Sequence, residues 1–289
     1  MTNAPQLLET FWGMRHAAVT PLGGGMNSET WLVEHEESSY VAKAVSQAAA
    51  ADLLAGAEVA TTLARAGFVT GHPIPTLDGR IVLTEPPLAL LQHVPGRELE
   101  GETDQEQQWI ARTLAGVHAA AHPARGPSTA TFGVEWLSPQ MPGVEAHQWL
   151  VTAIEKVRSE TDPLAVTWSV LHTDPAPEAF IHDESSGVTG LIDWTGARRG
   201  PVLYDVASAV MYLGGTEHAS AFLSTYLSQG PLTVDEMQHL DAFRRFREAV
   251  QGAYFAGRLA SNDLTGGIEH ADNEKGLNDA RRRLHVLGL

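Results

Sequence analysis

Cysteine is absent from the chain, which excludes disulfide staples, zinc–thiolate sites and a thiol nucleophile. Long apolar runs are absent too: no stretch approaches the ~18 residues of a membrane-crossing helix. The segment MTNAPQLLETFWG lacks a basic start followed by an apolar run, so no secretory signal is expected and the expected location is the cytoplasm. Lysine is scarce. Of 19 basic residues only Lys43, Lys156 and Lys275 are lysines; where a generic surface cation is wanted, the chain uses arginine. Positive charge is outweighed overall, 19 Lys and Arg against 35 Asp and Glu, a net charge of −16. Such a surface repels nucleic acid and anionic membrane, so neither is expected as a partner. It is compatible with a cationic small molecule.

What is present is a globular composition, 43% hydrophobic and 19% charged over 289 residues, long enough for two domains. TWLVEH and SSYVAKAV read as a β-hairpin, and the Ala-rich stretch 47–66 as a helix stopped by Gly67. IVLTE and LALLQHV read as further strands, so the first ~95 residues look like a small sheet with one helix. After VPGREL the pattern turns helical. Thr103 with Glu106 and Thr233 with Glu236 have capping-box spacing, and Ile110, Leu114 and Val117 share a helix face. Residues 124–146 and 261–275 read as loops. A small β-rich lobe followed by a larger helical one is a two-lobe plan, and a cleft between lobes is a usual ligand site.

Four segments carry candidate chemistry. In GGGMNSETWLV, residues 23–33, glycines let backbone N–H groups approach phosphate oxygens, although an ordinary hairpin turn has the same look. In VAKAV, residues 41–45, alternation puts Val41, Lys43 and Val45 on one face. A buried ammonium needs a partner, and a compact point charge there suits phosphate; a snorkelling edge-strand lysine is the alternative. Glu58, in the following helix, can pair with Lys43 or be a solvated helix residue. In LHTDPAPEAFIHDESSGVTGLIDWTG, residues 171–196, Asp174 and Asp193 end two short apolar segments joined by a hairpin, which is expected to bring both carboxylates to one mouth. One carboxylate can take a proton from a hydroxyl nucleophile while the other holds Mg2+ on ATP.

In this order and spacing, over roughly residues 16–250, the segments resemble the core of the aminoglycoside phosphotransferase, choline kinase and homoserine kinase superfamily. LHTD, the hairpin and LIDW resemble that family's H-G-D-x-x-x-x-N loop, hairpin and I-D-W/F. RGPVLYDVA resembles its G-D-P-x-Y-D-L-A, and LLQHVPGREL its hinge. The resemblance implies an α+β, bilobal protein-kinase-like fold. A small antiparallel-sheet N-lobe, 1–95, would bind nucleotide, and a larger α-helical C-lobe, 96–289, would carry the catalytic loop. It also implies ATP and Mg2+ as cofactors and transfer of the γ-phosphoryl group to a small-molecule hydroxyl, on an antibiotic or a metabolite. By position, Gly24, Gly25, Asn27 and Ser28 would lie over the nucleotide. Lys43 would contact the α/β-phosphates with Glu58 as its ion-pair partner. Gln92, His93 and Val94, with Leu91, would offer backbone groups to the adenine. Asp174 would be the catalytic carboxylate, Asp193 the metal ligand and Asp205 a structural brace.

The chain departs from the pattern where the family's metal-binding asparagine would stand, since that residue is Ala179. The turn before it is rewritten as PAPEA, Thr173 stands between His172 and Asp174, and Pro201 replaces an acidic residue. These losses support an alternative reading, a catalytically weak or inactive nucleotide- or metabolite-binding relative. A metal-dependent hydrolase using His172 and Asp174, with His182 as a further candidate ligand, is a third reading; Ser/His/Asp hydrolysis lacks a nucleophile elbow. His118 and His122 are spaced as a zinc pair but lack the accompanying glutamate, so a packed helix face is expected instead. Arg198 and Arg199 are read as a surface pair, with an anion contact as the alternative. The acidic residues Glu98, Glu100, Glu102, Asp104, Glu106, Glu155, Asp235 and Glu236 form an expected acidic rim suited to a cationic substrate.

Overall fold

The computed structural model describes residues 3–23, 26–121, the main chain of 124–125, and 136–289. The chain divides into two compact units, Met1–Leu99 with Glu178–Ala197, and Glu100–Pro177 with Arg198–Leu289. Residues 178–197 thus group with the sheet-bearing first unit, whereas the sequence placed them in the helical part.

In the first unit, Asn3 caps α1 (Ala4–Trp12), and Gly13 ends it in the left-handed region. This helix is not among the elements expected from the sequence; its nine residues are short, although Ala4, Leu8 and Trp12 share a buried face. β1 (Ala18–Leu22), β2 (Ser28–His35), β3 (Ser38–Val45), β4 (Leu83–Thr84) and β5 (Pro87–Gln92) form one antiparallel sheet in the order β1-β2-β3-β5-β4. The period of two sorts its side chains. Ala42, Ala44, Leu88 and Leu90 pack with Leu8 and Trp12 of α1. Ala89, Val45 and Leu91 pack with Leu53 and Ala57 of α2 (Ala50–Arg65). Lys43 lies opposite Ala89 in the ladder and shares that second face. A further small sheet joins β6 (Arg97–Glu98) to the hairpin of β9 (Phe180–Asp183) and β10 (Val188–Leu191). The hairpin turn is the expected one. Ser185 donates both its N–H and its hydroxyl to Asp183, and Ser186 adds its hydroxyl, which holds that carboxyl down at about 2.

In the second unit Thr103 caps α3 (Asp104–Ala120), whose buried face includes Ile110, Leu114 and Val117 as expected. α4 (Gln148–Thr161), α5 (Val202–Tyr212), α6 (Ser220–Gln229), α7 (Val234–Met237), α8 (Leu240–Ser261) and α9 (His270–Val286) follow. A three-stranded sheet is ordered β11 (Arg198–Pro201), β8 (Thr167–Leu171), β7 (Ala124–Arg125). α5 is buried at every position from Val202 to Val210, the pattern of a central helix. The capping box at Thr233 and Glu236 is real but opens only the single turn α7, with α8 starting afresh at Leu240. The stretch read as a loop to 275 is helical from His270.

Two members of the expected acidic rim are structural. Glu106 is buried and accepts the Gly101 N–H at 2.9 Å; Glu236 is buried and accepts the Thr167 N–H at 2.5 Å. The α+β plan, a small antiparallel-sheet unit and a larger helical one, is the one expected. No helix among the described residues is long and apolar enough to cross a membrane.

Candidate active site

Lys43 is 7% exposed, and its ammonium lies 2.5 Å from Asp193 Oδ1. Burial of an ammonium requires such a partner. The Asp193 side chain remains 56% exposed, so one end of the pair is dry and the other faces water. Two devices place Asp193. Its backbone is left-handed, φ 64° and ψ 65°, a conformation that a non-glycine residue keeps only where its surroundings hold it. They do so on both sides: Ile192 N–H donates to Ala179 O, and the buried Trp194 indole donates to Leu191 O. The second device is Gly56 in α2, where a Cβ would fall 2.1 Å from Trp194 O. Only glycine lets the helix come this close to the segment that follows Asp193.

The expected partner of Lys43, Glu58, is exposed and makes no ion pair with it. The reason is helical phase. The buried positions of α2 are Leu53, Gly56, Ala57, Ala60 and Leu63, and Glu58 lies about 100° of rotation beyond Ala57.

Asp174 follows β8 in the second unit. Its Oδ1 accepts the Tyr212 hydroxyl at 2.5 Å and Arg247 Nη2 at 2.9 Å, and its side chain is 62% exposed. The turn that carries it is braced by Asp205, as expected. This buried carboxylate accepts the N–H groups of His172 at 2.6 Å and Thr173 at 2.8 Å, with Thr173 at φ 76°. His118 Nε2 lies 3.1 Å from Asp205, and its Nδ1 lies 2.6 Å from the Tyr226 hydroxyl. His118 is therefore a packed, bonded histidine; His122 lies outside the described residues. Burial pushes the Tyr226 phenol well up, with Asp205 adding to the effect.

Arg247 is the residue that sequence reasoning missed. It is buried, and the Tyr204, Tyr212, Asp174 and Glu248 side chains around it outweigh burial and hold its charge firmly. A signal existed: Arg247 falls four residues after Phe243 and seven after Leu240, on the apolar stripe of its helix.

Of the remaining expected nucleotide contacts, Gly24 and Gly25 lie outside the described residues. Asn27 is exposed before β2, and Ser28 begins that strand half-buried. Gln92 ends β5 and donates its N–H to His72 O; His93 and Val94 follow, half-buried. Arg198 stacks over Trp136 at 4.8 Å. Ala179 is buried and offers no side-chain donor to a metal, while Glu178 beside it is exposed. No group of three or more His, Asp or Glu placed to hold a metal occurs among the described residues. Asp193 supplies a hard, water-facing carboxylate donor. This suits Mg2+ carried by a nucleotide, since that ion takes one or two carboxylates and completes its shell with phosphate and water.

A model of the phosphotransferase enzyme family matches residues 18–249, most of the chain. The chain belongs to that family. The resemblance drawn from LHTD, LIDW and RGPVLYDVA is thereby established. No curated protein matches by sequence. Among solved structures, an amicoumacin kinase in complex with AMP-PNP, Ca2+ and Ami superposes at TM-score 0.70 and 15% identity, over 92% of this chain and 87% of that one. A microcompartment-associated aminopropanol kinase superposes at 0.68 and 18% identity, over 99% and 98%. Choline kinase LicA from Streptococcus pneumoniae superposes at 0.67 and 16% identity, over 96% and 98%. At such identities the likeness shows the protein-kinase-like fold.

Proposed function

We propose that this phosphotransferase is an ATP-dependent small-molecule kinase that moves the γ-phosphoryl group to a hydroxyl of its acceptor. The observation that carries the reading is the buried strand lysine Lys43 held on Asp193, downstream in sequence of the glycine run 23–25. Lys43 supplies a point charge for the nucleotide phosphates. Asp193 would hold Mg2+, whose charge would offset that developing on the phosphoryl oxygens. Asp174 orients the acceptor hydroxyl and takes its proton as the new O–P bond forms; the bond between the γ-phosphorus and the bridging oxygen breaks and ADP leaves. Gln92, His93 and Val94 offer main-chain groups to the adenine. A positively charged acceptor suits the net charge of −16 and the exposed Glu98, Glu100, Glu102 and Asp104.

Ala179 favours a second reading, a nucleotide-binding relative with little or no turnover. One titration separates the two: calorimetry with ATP, with and without Mg2+, followed by ADP release across a panel of amino alcohols. The kinase reading expects micromolar binding that tightens with Mg2+ and turnover that Asp174→Asn abolishes. Metal-indifferent binding without turnover supports the second reading, and no ATP binding in either condition defeats both.

A further inference from the structure

The two oxygens of Asp174 are not equivalent. Oδ1 accepts both the Tyr212 hydroxyl at 2.5 Å and Arg247 Nη2 at 2.9 Å, while Oδ2 makes no hydrogen bond among the described residues. Arg247 is locked in turn. Its Nε donates to Ser208 Oγ at 2.9 Å, Nη1 to Gln251 Oε1 at 2.5 Å, and Nη2 also reaches the Tyr212 oxygen at 3.3 Å. The guanidinium sits 5.8 Å from the centre of the Tyr212 ring. A planar fork held at three corners has no freedom to follow the carboxylate if that group turns.

We propose that Tyr212 and Arg247 are positioning residues for phosphoryl transfer. They occupy Oδ1 and hold the carboxyl group so that Oδ2 alone meets the acceptor hydroxyl. The proton released as the acceptor oxygen bonds to phosphorus goes to Oδ2. Two donors on Oδ1, one of them cationic, draw charge toward that oxygen and fix the torsion that would otherwise exchange the pair. This inference rests on Asp174 being the proton acceptor in the reading above. Lysine at 247 would keep the charge but lose the fork.

The test compares wild type with Asp174→Asn, Tyr212→Phe, Arg247→Lys and the Asp174→Asn/Tyr212→Phe double variant. Each is assayed for ADP release from MgATP, with water and with the best amino alcohol as acceptor, and for ATP affinity and thermal midpoint. Tyr212 is exposed, so its phenylalanine variant keeps the fold even where the buried Arg247 variant does not. Tyr212→Phe is expected to lower kcat about tenfold, the worth of a hydrogen bond to a charged group, with KM for ATP and the midpoint unchanged. In the Asp174→Asn background the same change does nothing further. Loss of kcat only in step with a lowered midpoint overturns the inference. So does wild-type kcat in both Tyr212→Phe and Arg247→Lys while Asp174→Asn is dead, an outcome that leaves the base assignment standing. A fully active Asp174→Asn, or a wild type that releases no ADP, defeats that assignment and this inference together.

Discussion

Lys43 with Asp193 in the first unit and Arg247 with Asp174 in the second each pair a buried cation with a water-facing aspartate, and the two clamps are built differently. In the first, Asp193 Oδ1 meets a lysine at 2.5 Å; in the second, Asp174 Oδ1 meets an arginine at 2.9 Å and a tyrosine. The aspartate side chains are alike in exposure, 56% and 62%, and the cation side chains are alike too, 9% and 6% exposed. The difference is in freedom. An ammonium on a four-carbon stem is a rotatable point charge that can exchange one oxygen partner for another. A guanidinium tied to Ser208 and Gln251 cannot. On the proposed function, the lysine clamp suits an aspartate that trades its partner for a metal, and the arginine clamp suits one that stays still.

The largest effects should divide the two clamps. Asp174→Asn should lower kcat by at least about 100-fold, the usual contribution of a general base, and leave the Mg2+ dependence of ATP binding intact. Asp193→Asn should abolish the tightening of ATP by Mg2+ in calorimetry. If both variants behaved alike, the division of labour would be wrong. Next comes Gly56→Ala. Its Cβ would lie 2.1 Å from Trp194 O, so α2 or the 193–196 segment must move, at roughly 1–3 kcal/mol. Chemical denaturation should show this loss, together with weakened binding of MgATP.

Glu236→Ala should match it in stability without touching nucleotide. It strands the buried Thr167 N–H and removes a capping box, together about 1–3 kcal/mol. The smallest effect is on pH. Burial pushes the Glu248 carboxyl up from its ordinary 4.5, against the pull of Arg283. The folded chain therefore keeps this proton to a higher pH than the unfolded chain does. Stability from this group is complete below about 4.5 and falls as pH rises through the folded value. Glu248→Gln should flatten that limb of a midpoint-versus-pH curve.

Much of this was legible in advance. Alternation around Lys43 names its face of the sheet, and a lysine between valines in a lysine-poor chain marks itself. The hairpin after Asp183 follows from DESSG. Arg247 did not stand out, being one arginine among sixteen and flanked by RRF. Glu58 misled because nearness in sequence suggested a partner that helical phase turns away, and Glu106 and Glu236 misled because an acidic residue looks the same whether it faces water or caps a backbone.

The sequence by itself determined most of the strands and helices, the face on which Lys43 lies, the turn that carries Asp174 and the family. Those properties come from local periodicity and short-range hydrogen bonds, which neighbouring residues specify. Tertiary structure decided the partners: Lys43 with Asp193 across 150 positions, and Asp174 with Arg247 across 73. A periodic pattern says which way a side chain points; only packing between distant segments says what it meets.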